Sequence, residues 1–136
     1  MKNLICSFFI LLSCSALSQN SDNLPRPTRQ QLAWHENELY LFVHFGPNTF
    51  TDKEWGDGNE PEQLFNPSSL DCKQWCRVAR AAGAKGIIIT AKHHDGFCLW
   101  PSKYSTHTVR ESKWKDGKGD VLMELSQACK QYGLKF

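Results

Sequence analysis

Three histidines, a glutamate and a tryptophan have the types and placement to do chemistry in this sequence. His44 closes the apolar run Leu39-Tyr40-Leu41-Phe42-Val43, and His93-His94 close the run Gly86-Ile87-Ile88-Ile89-Thr90-Ala91. Glu54 and Trp55 lie in the polar stretch that follows the first run. Imidazole nitrogens and a carboxylate hydrogen-bond hydroxyls, and an indole covers an apolar ring face, so the set suits a neutral sugar. Taken singly, each residue has a plainer role: a locally bonded His, a loop-packing Trp, a solvated Glu. Two consecutive imidazoles at the end of an apolar run are harder to dismiss, because buried ring nitrogens need partners.

A metal centre is the rival chemistry. His44, His93, His94 and Asp95 are all plausible zinc or iron ligands. Adjacent side chains on a strand point to opposite faces, however, so His93 and His94 meet one ion only if the strand is broken there. The carboxylates are too scattered to assign a general acid/base pair.

The elements that must hold these residues alternate. A helical turn is expected over Gln31–Glu38, then a strand over 39–43. That apolar run, bounded by Gly46-Pro47, fits a strand buried on both faces. The polar stretch 48–69 is too long for an ordinary connection and reads as a functional loop. Asp71 with Gln74 resembles a capping box opening a helix. Its apolar face is Cys72, Trp75, Cys76, Ala79 and Ala82, and Gly83 stops it. The second strand follows, then another long loop over 98–119. Asp120 caps a second helix with Val121, Leu122, Leu125, Cys129 and Tyr132 on one face, ended by Gly133. Leu134-Lys135-Phe136 begins a third run.

The order β-α-β-α-β implies α/β architecture and a parallel sheet, either doubly wound or a (β/α)8 barrel. His44-Phe45-Gly46-Pro47-Asn48 after the first strand lacks the glycine pattern of a dinucleotide site. Polar and aromatic residues gather instead at the C-terminal ends of both strands, where a barrel assembles its active site.

Composition agrees with a globular protein. Of 136 residues 40% are apolar and 22% charged, which argues against wholesale disorder. The 16 Lys+Arg against 14 Asp+Glu exclude an electrostatic grip on nucleic acid. Residues 1–18 form a leader: Lys2, the apolar run Leu4–Leu12, then small residues before Gln19, which reads as a secretory signal peptide. Export to the periplasm or the extracellular space is therefore expected. The alternative is lipidation at Cys14, the one route by which a membrane becomes a partner. Residues 19–30, with Pro25 and Pro27, read as a mature N-terminal tail. Beyond the leader remain Cys72, Cys76, Cys98 and Cys129, whose pairing, if any, stays open. Burial as free thiols is an equal reading.

From about Gln31 to Phe136 the sequence resembles α-L-fucosidases of glycoside hydrolase family 29. The resemblance is carried by Val43-His44-Phe45-Gly46-Pro47, Lys53-Glu54-Trp55 and Thr90-Ala91-Lys92-His93-His94-Asp95-Gly96-Phe97. Trp100-Pro101-Ser102-Lys103-Tyr104-Ser105 and Gly119-Asp120-Val121 add to it. The loop Glu54-Trp55-Gly56-Asp57-Gly58-Asn59-Glu60 is similar to the branch acting on α-1,3/1,4-linked fucose.

The resemblance implies the N-terminal part of a (β/α)8 barrel over residues 31–136, incomplete in this chain. It implies that His44, Glu54, Trp55, His93 and His94 line a fucose pocket and that Asp95 shapes its loop. It further implies retaining hydrolysis of terminal α-L-fucose from glycans or glycoconjugates, with no metal or organic cofactor. The family's nucleophile and acid/base match no position up to Phe136, so this stretch alone is expected to be inactive and no carboxylate here is catalytic. A barrel takes about 250 residues, in keeping with that expectation. Two other readings stand beside it: a metal-dependent barrel hydrolase, and a non-catalytic fucose-binding module.

Overall fold

The computed structural model describes residues 24–136. The expected leader, Cys14 and residues 19–23 of the expected tail lie outside them. The chain divides into two units, the second running from Ala33 to Phe136. Helix α1 (Arg29–His35) starts inside the expected tail. A reciprocal cap accounts for the earlier start: Gln31 N–H donates to Thr28 Oγ1 at 3.2 Å, and Thr28 N–H donates to Gln31 Oε1 at 2.7 Å.

The second unit follows the expected order. Strand β1 (Leu41–Val43) leads through a long loop to helix α2 (Cys72–Ala81), then β2 (Ile87–Ile89) and, after a second long loop, α3 (Val121–Tyr132). The strands pair in parallel, with Leu41, Phe42 and Val43 opposite Ile87, Ile88 and Ile89. On the other side of β2, Ile87 N–H donates to Lys135 O and Lys135 N–H to Lys85 O, both at 2.9 Å. The third run therefore also starts in parallel. The first strand is shorter than expected at its start, where Glu38 sits at φ 52° in a turn bonded back to His35.

One expectation is corrected. β1 is not buried on both faces: Leu41 and Val43 pack on the core, but Phe42 is 67% exposed and its register partner Ile88 38%. Both helices serve the face that carries Leu41, Val43, Ile87 and Ile89, and the opposite face is open.

Local chemistry explains the helix limits. Asp71 accepts from the N–H groups of Lys73 and Gln74, and Asp120 accepts from that of Met123 at 2.8 Å. The left-handed φ of Gly83 (81°) and Gly133 (65°) suits each chain reversal after the helices. Cys72, Cys76 and Ala79 of α2 meet Leu125, Ala128 and Cys129 of α3 over Ile87. Ala82, expected on the buried face of α2, is exposed because it is the C-cap residue.

A second apolar cluster lies under the long loops: Phe65, Phe97, Leu99, Val109, Trp114 and Val121. Trp114 packs so closely on Gly119 that a Cβ there would lie 2.0 Å from its ring. His107 Nδ1 lies 2.8 Å from Glu62 Oε1 and ties the two loops together. Cys72, Cys76, Cys98 and Cys129 are buried free thiols. The sulfurs of Cys76 and Cys129 are 3.8 Å apart across the α2–α3 contact. Among the described residues no helix is long and apolar enough to cross a membrane.

Candidate functional site

The C-terminal ends of β1 and β2 carry the site. The parallel ladder continues one bond past the strands, from Thr90 N–H to Val43 O at 3.0 Å. His44 and Thr90 therefore emerge side by side, with His44 Nδ1 3.1 Å from Thr90 Oγ1. β2 ends at Ile89, so His93 and His94 sit in a turn rather than on a strand. That break lets two consecutive imidazoles join one cluster instead of facing opposite ways. Their ring centroids are 4.2 Å apart, and the His93 ring meets the His44 ring edge-on at 4.6 Å.

Trp55 completes the cluster from the first loop. Its indole lies 4.8 Å from the His94 ring and 6.3 Å from that of His93. The face is shallow: His44, His94 and Trp55 are exposed, and His93 is half-buried. Four of the five expected residues are thus in ring contact. Glu54 precedes Trp55 in the same loop and is exposed.

The turn that carries the histidines is fixed by Asp95. Its buried carboxylate accepts Phe97 N–H at 2.9 Å, and His93 O accepts from Gly96 N–H. Asp95 thus shapes the loop, as expected. Behind His44, the Phe45 ring is clasped by Phe50, Phe65 and Trp75 at 5.5–6.0 Å, which anchors the backbone leaving β1. A small cavity of about 10 Å³ lies beneath, lined by His44, Asn48, Thr90, His93 and Asp95 among others. Two polar atoms of its lining residues, His93 Nδ1 and Asn48 Oδ1, are buried without a hydrogen-bond partner.

Sequence reasoning missed Thr90, Asn48 and Glu60. Thr90 falls in the second apolar run, and nothing in a polar loop distinguishes a buried Asn or Glu from a solvated one. The only signal was their proximity in sequence to Trp55. Glu60 is 7% exposed and accepts from Asp57 N–H at 2.8 Å and Gly58 N–H at 2.9 Å. Burial pulls its carboxyl upward, but these bonds and one from its own N–H prevail and hold it below the ordinary value. Among the described residues no group of three or more His, Cys, Asp or Glu is arranged to hold a metal ion.

The arrangement gathers three imidazoles and an indole face on one rim, with an exposed carboxylate next to Trp55 in the chain, which is equipment for holding a polyhydroxylated ring. The family model described as alpha-L-fucosidase matches residues 13–136. Alpha-L-fucosidase 1 of Arabidopsis thaliana is 45% identical over 145 residues, covering 98% of this chain and 29% of that protein. The plasma alpha-L-fucosidase of Homo sapiens is 34% identical over 103 residues, covering 71% of this chain and 20% of its own length. The crystal structure of a glycoside hydrolase 29 family member from an unknown rumen bacterium is 61% identical. It superposes with a TM-score of 0.81 over 82% of this chain and 20% of that one. A mutant GH29 fucosidase of Ruminococcus gnavus, solved in complex with fucose, is 39% identical with a TM-score of 0.72. The chain spans less than a third of the length of these relatives. On the family model's match over residues 13–136 and the folds shared at these identities, the chain belongs to the alpha-L-fucosidase family, glycoside hydrolase family 29.

Proposed function

We propose that this chain supplies the fucose-binding wall of a secreted retaining α-L-fucosidase. His44, His93 and His94 hydrogen-bond the ring hydroxyls, Glu54 accepts from a hydroxyl at the rim, and Trp55 covers the apolar edge of the sugar. The observation that carries this reading is the contiguous cluster of Trp55 and three imidazoles at the ends of two parallel strands. The family's relatives include one with fucose bound. The parallel β-α-β-α-β order supports a (β/α)8 barrel as the complete architecture, since that fold builds its site at these strand ends.

The reaction is hydrolysis of terminal α-L-fucosyl residues from glycans or glycoconjugates. A carboxylate nucleophile and an acid/base carboxylate about 5–5.5 Å apart are supplied by residues beyond those of this sequence. The task of the present residues is to bind and orient the ring, which is how remote binding energy lowers a glycosidic barrier. The loop 54–60 supports α-1,3/1,4-linked fucose as substrate, and the apolar leader over residues 1–18 supports export.

The test is hydrolysis of an aryl α-L-fucoside by the protein that carries this sequence, followed by proton NMR. Release of α-L-fucose as the first anomer, and loss of more than about 100-fold in kcat/KM (about 2.7 kcal/mol) on replacing His44, His93 and His94 together by Ala, is expected. Binding of fucose without turnover would instead mark a sugar-binding module.

A further inference from the structure

Trp55 and Glu54 sit in the segment 54–60, which has no regular structure, yet three contacts hold it, the last of them against the histidine turn. Asn48, itself 9% exposed, donates from Nδ2 to Glu54 O at 3.2 Å. The buried Glu60 carboxylate gathers the N–H groups of Asp57 and Gly58. Gly58, at φ +86°, lies against the backbone of Asp95, where a Cβ would be 3.1 Å from its carbonyl oxygen.

Gly56 is where these contacts converge. A Cβ at this position would lie 2.5 Å from Glu60 Oε1 and 2.8 Å from Asn48 Oδ1. The two buried polar side chains thus close on the backbone of residue 56 from two sides, immediately after Trp55. Neither side chain is itself exposed, and neither belongs to the α2–α3 core.

We propose that Asn48 and Glu60 are positioning residues: together they clamp loop 54–60 so that Trp55 stands against His94, and they thereby set affinity for the sugar. This rests on the sugar-binding reading above. The clamp acts on the wall before any bond is broken. Its loss therefore weakens ground state and transition state alike, raising KM while leaving kcat largely unchanged. Glu60→Gln keeps the shape but turns an amide N–H₂ toward backbone donors, leaving one of them unpaired. Gly56→Ala forces the two side chains apart directly.

The experiment uses the protein carrying this sequence, with Glu60→Gln, Asn48→Ala and Gly56→Ala, each also paired with Trp55→Phe. The difference in emission between each protein and its Trp55→Phe partner isolates Trp55 without any sugar. The clamp predicts a changed Trp55 emission in all three variants. It also predicts a KM for an aryl α-L-fucoside raised about tenfold, with kcat within about threefold. Unchanged Trp55 emission in the folded variants overturns it, and so does a changed emission with unmoved KM. Should one variant not fold, the other two decide. If the parent protein neither binds nor cleaves fucosides, the functional reading fails, while the emission still decides whether the clamp exists.

Discussion

Glu62 and His107 show how single residues join the two long loops. The His107 Nδ1 bond is the chief reason the Glu62 carboxyl is held below its ordinary 4.5. A carboxyl depressed on folding stabilises the protein fully above its unfolded pKa, and that contribution disappears as pH falls through the lower folded value. Thermal stability is therefore expected to drop as pH falls below the ordinary carboxylate range, and Glu62→Gln should lose less over the same interval. An equal drop in both proteins would contradict the role given to this pair. The thiols make a second case. Burial pushes Cys72 and Cys129 up to about 12 and raises Cys76 and Cys98 as well. Because the thiolate is the reactive form, iodoacetamide at about pH 8 should modify none of the four in the native protein and all of them after denaturation. Peptide mass spectrometry reads this directly.

The elements were legible where periodicity and caps speak together. Asp71 and Asp120 marked both helix starts, and their side chains accept from the first-turn N–H groups. Asp120→Ala should cost about 1 kcal/mol, read as a lower urea midpoint with unchanged slope. An unaltered midpoint would mean that the cap adds nothing. The strand ends were legible too, since His44 and His93-His94 stand where apolar runs stop. Three features were not. The Thr28–Gln31 cap looked like tail because its partners are polar and the neighbouring prolines dominate the pattern. The apolar run 39–43 suggested burial on both faces, but composition cannot say which face is covered, and Phe42 is left open. Asn48 and Glu60 looked like ordinary loop residues, because they are buried by packing against the backbone at Gly56 and not through any period.

At the scale of the molecule, two apolar clusters divide the labour. One joins α2 and α3 to the sheet, and the other lies beneath the loops that carry the site. Phe65 belongs to the second, with its ring 5.2 Å from that of Phe97 and 5.5 Å from that of Phe45. Phe65→Ala should cost about 3–5 kcal/mol and also weaken sugar binding, because both neighbours adjoin site residues. Leu125→Ala should cost about 2–5 kcal/mol and leave the sugar affinity of the folded protein unaltered. Denaturant unfolding together with fucose titration separates the two, and equal effects on affinity would contradict the division. Whether this chain forms the fucose wall is decided by a crystal structure of the protein carrying it, grown with L-fucose. The sugar is expected within hydrogen-bond reach of the His44, His93 and His94 imidazoles with Trp55 over its apolar edge. Fucose bound elsewhere, with these four side chains untouched, would contradict it.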